Sequence, residues 1–272
     1  MFNLDIWEKF HYCAKLGGEG YGSTYEYVAK YKIFQQWNRK YGLRGKFDRF
    51  IILGLPQKYG LALDFFWWVN MLLVKEVIVW SNKSSDVEDK FINSWRYLNQ
   101  VFRLNLPLPC FVQSLTEITD YVDKSFLVSC EVLQGLESED RKLAYDVLEM
   151  SHFSAVFVPN FYNKAHQKIS RLPTIKDNHI FQKVPQHSIS VLESGYLDFP
   201  PVPPGFVLPS SKVESSNGFN KSCVHIKDKM IFFILELWQN LVETSIQKVM
   251  PSFYVNGSHI FYALVRRDES LR

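Results

Sequence analysis

The residues of this sequence that are able to do chemistry cluster at the ends of apolar runs. Gly54 closes the run Phe50-Ile51-Ile52-Leu53 and is followed by Leu55, Pro56 and, further on, Gly60. These are the residue types of a strand-to-helix turn. Ser81 and Asn82 follow Glu76-Val77-Ile78-Val79-Trp80, and Gln113 and Ser114 follow Cys110-Phe111-Val112. Ser129, Cys130 and Glu131 follow Ser125-Phe126-Leu127-Val128. Polar groups just past strand ends are the ones an α/β protein gathers along one edge of its sheet. Glu131 equally suits the start of a helix, where a carboxylate complements the macrodipole.

Several chemistries are excluded by pattern. The glycine-rich stretch Gly17-Gly18-Glu19-Gly20-Tyr21-Gly22 runs into Ser23-Thr24-Tyr25-Glu26. It lacks the lysine of an ATP phosphate loop. Seven histidines form no H-E-x-x-H and no other tight pair, so no metal site is expected. G-x-S-x-G is absent, which argues against a nucleophile-elbow hydrolase. Four scattered cysteines without C-x-x-C suggest a reducing compartment rather than a disulfide framework.

Composition narrows the class further. The 272 residues are 47% hydrophobic and 16% aromatic, enough for a large core and too apolar for disorder. Thirty-one basic against 28 acidic residues give +3, less than a non-specific duplex binder normally carries. Nucleic acid is therefore permitted as a partner without being argued for, and the substrate and oligomeric state are left open. The N-terminus MFNLDIWEKFHY has acidic residues where a secretory signal has basic ones. The most apolar run, FFWWVNMLLV, is ten residues long and contains Asn70, too short to span a bilayer. A cytoplasmic protein is expected.

Periodicity then supplies the elements that must position these residues. Ser23 and Glu26 stand at capping-box spacing, so a helix is expected from about Thr24 to Tyr41, ended by Gly42. Its basic side, Lys30, Lys32, Arg39 and Lys40, reads as a solvated face. Strands are expected at Phe47 to Leu55, Glu76 to Trp80, Cys110 to Val112, Ser125 to Cys130, Ser154 to Val158 and His259 to Val265. Helices intervene at about Leu61 to Leu73, Val87 to Val101 and Ser138 to Met150, and a long one runs from Lys227 to Val249, stopped by Pro251. The region from Asn163 to Lys227 shows no regular period; its proline run from Asp198 to Gly205 is expected to be a stiff extended loop, and the Ser/Asn-rich segment from Pro209 to Ser222 a mobile one. Alternating strands and helices predict an α/β fold with a mostly parallel sheet.

This order, with Ile51-Ile52-Leu53-Gly54-Leu55-Pro56 at the first strand, Val128-Ser129-Cys130-Glu131-Val132-Leu133 at the fourth and HIFYALVRR at the last, resembles the Rossmann-like S-adenosylmethionine-dependent methyltransferases. GGEGYGSTYEY and GYLDFPPVPPGF are similar to segments of uncharacterised members of that family. The resemblance implies a mostly parallel sheet with an antiparallel last strand, residues 1–46 as an N-terminal helical extension, and residues 47–272 as the α/β domain with a proline-rich insertion at about 165–225. It implies S-adenosylmethionine as cofactor and methyl transfer to an unidentified substrate. The Gly54–Gly60 turn would lie under the cofactor, with Ser81 and Asn82 at the ribose and Gln113 and Ser114 at the adenine. Ser129, Cys130 and Glu131 would flank the reaction centre; Glu19, Ser23 or Tyr25 would reach the methionine end. Asp198 would be a polar contact or base near the substrate.

Three departures stand out. Ile52 replaces the family's acidic residue, Pro56 replaces its middle glycine, and no carboxylate follows the second strand. A neutral hydroxyl or amide there bonds a diol more weakly than a carboxylate does. These positions leave open a different class, a non-catalytic methyltransferase-like binding or scaffold protein with a degenerate cofactor site. A dinucleotide oxidoreductase fits less well, because G-x-G-x-x-G is missing.

Overall fold

The computed structural model describes residues 4–55, 61–81, 84–170, 174–176, 189–200 and 226–267. Two helices lead, α1 (Leu4–Gly17) and α2 (Tyr21–Tyr41). Then come β1 (Arg49–Leu53), α3 (Phe65–Leu72), β2 (Glu76–Trp80), α4 (Ser85–Phe102), β3 (Pro109–Val112) and α5 (Leu115–Ile118). The second half has β4 (Ser125–Cys130), α6 (Ser138–Met150), β5 (Phe153–Pro159), α7 (Lys164–Ser170) and β6 (Ile189–Leu197). After α8 (Ile226–Leu241) the helix passes through a π turn (Val242–Ile246) into Gln247–Val249; α9 (Pro251–Gly257) and β7 (Ile260–Arg267) close the fold.

The seven strands form one sheet in the order β3-β2-β1-β4-β5-β7-β6. β1 to β5 pair in parallel, and β7 runs antiparallel to both β5 and β6. This is the Rossmann-like methyltransferase arrangement that the order of elements predicted. The strand order reverses between β1 and β4, and such a switch point opens a crevice at the carboxyl ends of the strands. Gly54 and Cys130 lie there.

Strand residues alternate between two packed faces, as a pleat of period two requires. Phe50 and Ile52 face one core with Val77, Val79, Phe126 and Val128, while Ile51 and Leu53 face the other with Ile78, Trp80 and Leu127. α2 covers the first face. Its Phe34 stacks on Trp68 of α3 at 4.1 Å, and Trp37 meets Phe157 and Tyr262. Among the described residues no helix is long and apolar enough to cross a membrane. The apolar FFWW segment is buried in this core instead.

Four local expectations are corrected. α2 begins at Tyr21 with Gly20 as its N-cap and no side-chain cap, so Ser23 and Glu26 are not a capping box. Glu26 lies too far inside the helix and turns to Lys30 instead. Lys30 is not on a solvated face but 1% exposed. Pro251 opens α9 at its first turn rather than only ending α8; its missing N–H costs nothing there. Finally, β6 occupies sequence expected to be irregular. It is an edge strand with a register shift between Val191 and Glu193, and its half-buried residues give no clean alternation. Gly42 does end α2 as expected, at φ 58° with its N–H donating to Asn38 O.

Candidate functional site

Gly54 sets the geometry at the switch point. It follows β1 at φ +88°, a conformation that side chains other than glycine's rarely adopt. Its N–H donates to Trp80 O at 3.0 Å, tying the ends of β1 and β2. A Cβ added to it would lie 2.5 Å from Val132 Cγ1. The absent side chain thus lets the loops after β1 and β4 close on each other. Leu55 and Ser81 are buried beside it. Pro56, Gly60 and Asn82 lie outside the described residues.

At the end of β4, Ser129 is fully buried and its Oγ has no hydrogen-bond partner. Cys130 Sγ accepts from Lys30 Nζ at 3.5 Å. Glu131 takes φ +53°, and its N–H donates to Phe157 O. Gln113 is exposed and Ser114 half-buried; Ser114 Oγ accepts from Glu117 N as the cap of α5. Those two therefore sit apart from the buried group around Glu131, on the β3 side of the crevice.

The buried group is a set of charges. Lys30 Nζ lies 2.9 Å from Asp64 Oδ2 and 2.9 Å from Glu26 Oε1. Burial alone would lower the Lys30 ammonium, but Asp64, Cys130 and Glu26 together hold it well above its ordinary value. Glu19 accepts from Tyr27 Oη at 2.5 Å, and burial raises its carboxyl to about 7. Glu131 is raised to about 8, first by burial and then by Glu26 and Asp198, with Lys30 and His259 opposing. Glu131 thus keeps its proton at neutral pH.

Asp198, just after β6, and His259, just before β7, complete the set. His259 Nδ1 and Asp198 Oδ2 are 2.8 Å apart, and His166 stacks on His259 at 4.1 Å. Burial works against the His259 cation, yet Asp198 raises it above its usual range; His166 is lowered to about 4. Two buried asparagines fix this corner. Asn160 Nδ2 donates to Val255 O and Ser258 O, and Asn163 Nδ2 to Gly257 O and Ser258 O.

Sequence reasoning singled out Glu19, Asp198 and Glu131 but missed Lys30, Glu26, Asp64 and His259. One signal was available: Glu26 and Lys30 are four apart on a helix whose neighbouring positions, Tyr27, Tyr31 and Phe34, are apolar. Among the described residues no group of three or more metal-ligating side chains converges. The site is built from carboxyl groups around Lys30 and beside His259.

The raised carboxyls make a prediction for stability. Between about pH 4.5 and pH 8 the folded chain holds the Glu131 proton that the unfolded chain has released. The folded state then binds more protons, so stability falls as pH rises through that window. Glu19 acts in the same direction up to about 7. Urea midpoints should decline from about pH 6.5 to pH 8, and Glu131→Gln should flatten that decline. An unchanged slope in the variant would show that Glu131 is ionised in the fold.

No family model and no curated protein matches the sequence. Solved structures match by shape. The methyltransferase domain of bacterial CtHen1-CN is similar over 86% of this chain and 95% of its own, at 9% identity and a TM-score of 0.46. A putative sarcosine dimethylglycine methyltransferase from Galdieria sulphuraria is similar over 87% and 84%, at 10% identity and 0.45. Loganic acid methyltransferase, solved with SAH, is similar over 96% of each chain, at 10% identity and 0.41. The fold assignment rests on this chain's own sheet order and strand directions.

Proposed function

We propose that this chain is a divergent S-adenosylmethionine-dependent methyltransferase acting on an unidentified substrate. The observation that carries the reading is the strand order with antiparallel β7, together with the Gly54 turn at the switch point. The side chains present fit the cofactor in three respects. The orphaned Ser129 Oγ and the glycine turn offer a hydroxyl and a close backbone edge. The half-buried carboxyls of Glu26 and Glu131, which interact with each other, would neighbour the sulfonium. Glu19, half-buried in the turn before α2, is placed to accept from an ammonium group.

Bound there, the cofactor would supply an electrophilic methyl group on a sulfonium. The chain's own residues do the rest. Apolar Leu55 and Trp80 exclude water near the turn. Lys30 holds Asp64 and Glu26 in place beneath Cys130, which keeps the end of β4 fixed. Glu131, its carboxyl raised by burial and by Glu26, is suited to donate a hydrogen bond rather than to remove a proton. His259 is oriented by Asp198 and is the titratable group best placed to exchange a proton with solvent. Much of the acceleration in an in-line displacement comes from such positioning.

Ser81 stands where a ribose carboxylate would, and with Ile52 and Pro56 it favours the scaffold alternative. Direct ultraviolet photolabelling with a tritiated methyl donor separates the two. Label should enter peptides containing residues 49–55 or 125–132 and be displaced by S-adenosylhomocysteine. Label elsewhere, or label that is not displaced, would overturn the reading in favour of a non-catalytic scaffold.

A further inference from the structure

A cavity of about 350 Å³ lies between α2, the ends of β6 and β7, the π turn and α9. That is at the lower end of the size of small-molecule sites, roughly 300–1,000 Å³. α2 contributes Tyr25, Ala29, Lys32 and Gln36, spaced four, three and four apart and so on one face. Gln239, Glu243 and Gln247 face them from across the π turn, a helix irregularity found often at functional sites.

One side chain points to a ligand by itself. Gln239 is 2% exposed, lines the cavity, and its Oε1 has no hydrogen-bond partner. A buried acceptor left unsatisfied costs free energy, and a guest carrying N–H groups would recover it. The charges specify the guest further. Asp198 and Glu243 both line the cavity, and both push up the phenols of Tyr25 and Tyr254, behind burial as the main cause. The two carboxylates therefore face one space. The lining cation, Lys32, is already engaged by Glu236 at 3.0 Å. Burial raises the Glu243 carboxyl, with Lys32 opposing, so this carboxylate stands to gain from a cationic neighbour. Tyrosine rings also attract cations. A phosphate or carboxylate guest would meet Glu243 and an Asp198 that His259 only partly offsets.

We propose that this cavity is a binding site for a small organic amine, held as its ammonium by Glu243, Asp198 and Gln239 Oε1 against tyrosine walls. Asp198 belongs to both this cavity and the His259 pair, so an occupied cavity abuts the buried charged group. The inference does not need the methyl-donor reading, and its test uses no methyl donor.

The test is calorimetric titration of the full chain with phenethylamine and, as the neutral counterpart of similar shape, 2-phenylethanol. The amine should bind saturably at about 1 mM or tighter, and the alcohol at least tenfold more weakly. Glu243→Gln should weaken the amine at least tenfold without changing the melting temperature appreciably. Ala29→Phe, which fills the cavity, should abolish binding; if it fails to fold, Gln239→Met replaces it and should weaken the amine several-fold. Equal binding of amine and alcohol, no binding of either, or amine binding indifferent to Glu243→Gln would overturn the proposal.

Discussion

Lys30→Met is expected to lower the stability of the chain by about 3–5 kcal/mol, the cost of removing one partner from a buried ion pair. Lys30 is 1% exposed and Asp64 is fully buried. Asp64 Oδ1 has no hydrogen-bond partner, so Lys30 is its principal compensation. The ammonium also lies 4.8 Å from the Tyr27 ring centroid and 5.5 Å from that of Phe65. Methionine would fill much of the stem's volume and leave an uncompensated carboxylate in the core. A domain of ordinary stability, about 5–15 kcal/mol, loses a large part of it at that cost. Combining Lys30→Met with Asp64→Leu should restore much of the loss. Urea denaturation of the two single variants and the double variant measures this coupling. Additive losses would mean that the two charges do not compensate each other.

The second large effect is expected at Gly54. Gly54→Val places a β-branched residue at φ +88° and a Cβ within 2.5 Å of Val132 Cγ1. Val132 is 1% exposed and enclosed by the core, so it has little room to retreat. Overpacking of this kind costs about 1–3 kcal/mol, and strained backbone adds a similar amount. Adding Val132→Ala should relieve the clash and leave the backbone strain. In both backgrounds the turn is displaced from its position at the carboxyl ends of β1 and β4, so methyl-donor binding should be lost even where the fold survives.

The parallel half of the sheet was legible because its strands are short, apolar and bounded by turn residues. Glu76 to Trp80 and Ser138 to Met150 have the same bounds in sequence and structure. Gly54 at a strand end was legible for the same reason. β6 was not, because an edge strand half open to solvent and interrupted at Val191/Glu193 has no period to detect. The charged group was only partly visible. A lysine between tyrosines on a long helix normally snorkels to water, and what overrides this is Asp64, 34 positions away in sequence. Likewise His259 gains meaning only from Asp198, which a distant strand brings to it. Pairings across the sheet leave no local pattern.

We propose that the crevice beside Gly54 holds a methyl donor. This is tested most directly by calorimetric titration of the purified chain with S-adenosylmethionine and, separately, S-adenosylhomocysteine. The prediction is one-to-one binding of both in the micromolar range, about −8 kcal/mol, lost in Gly54→Val protein that still melts cooperatively. No heat and no thermal shift with either ligand at millimolar concentration would mean that the crevice holds no methyl donor and leave the fold as a scaffold without its cofactor.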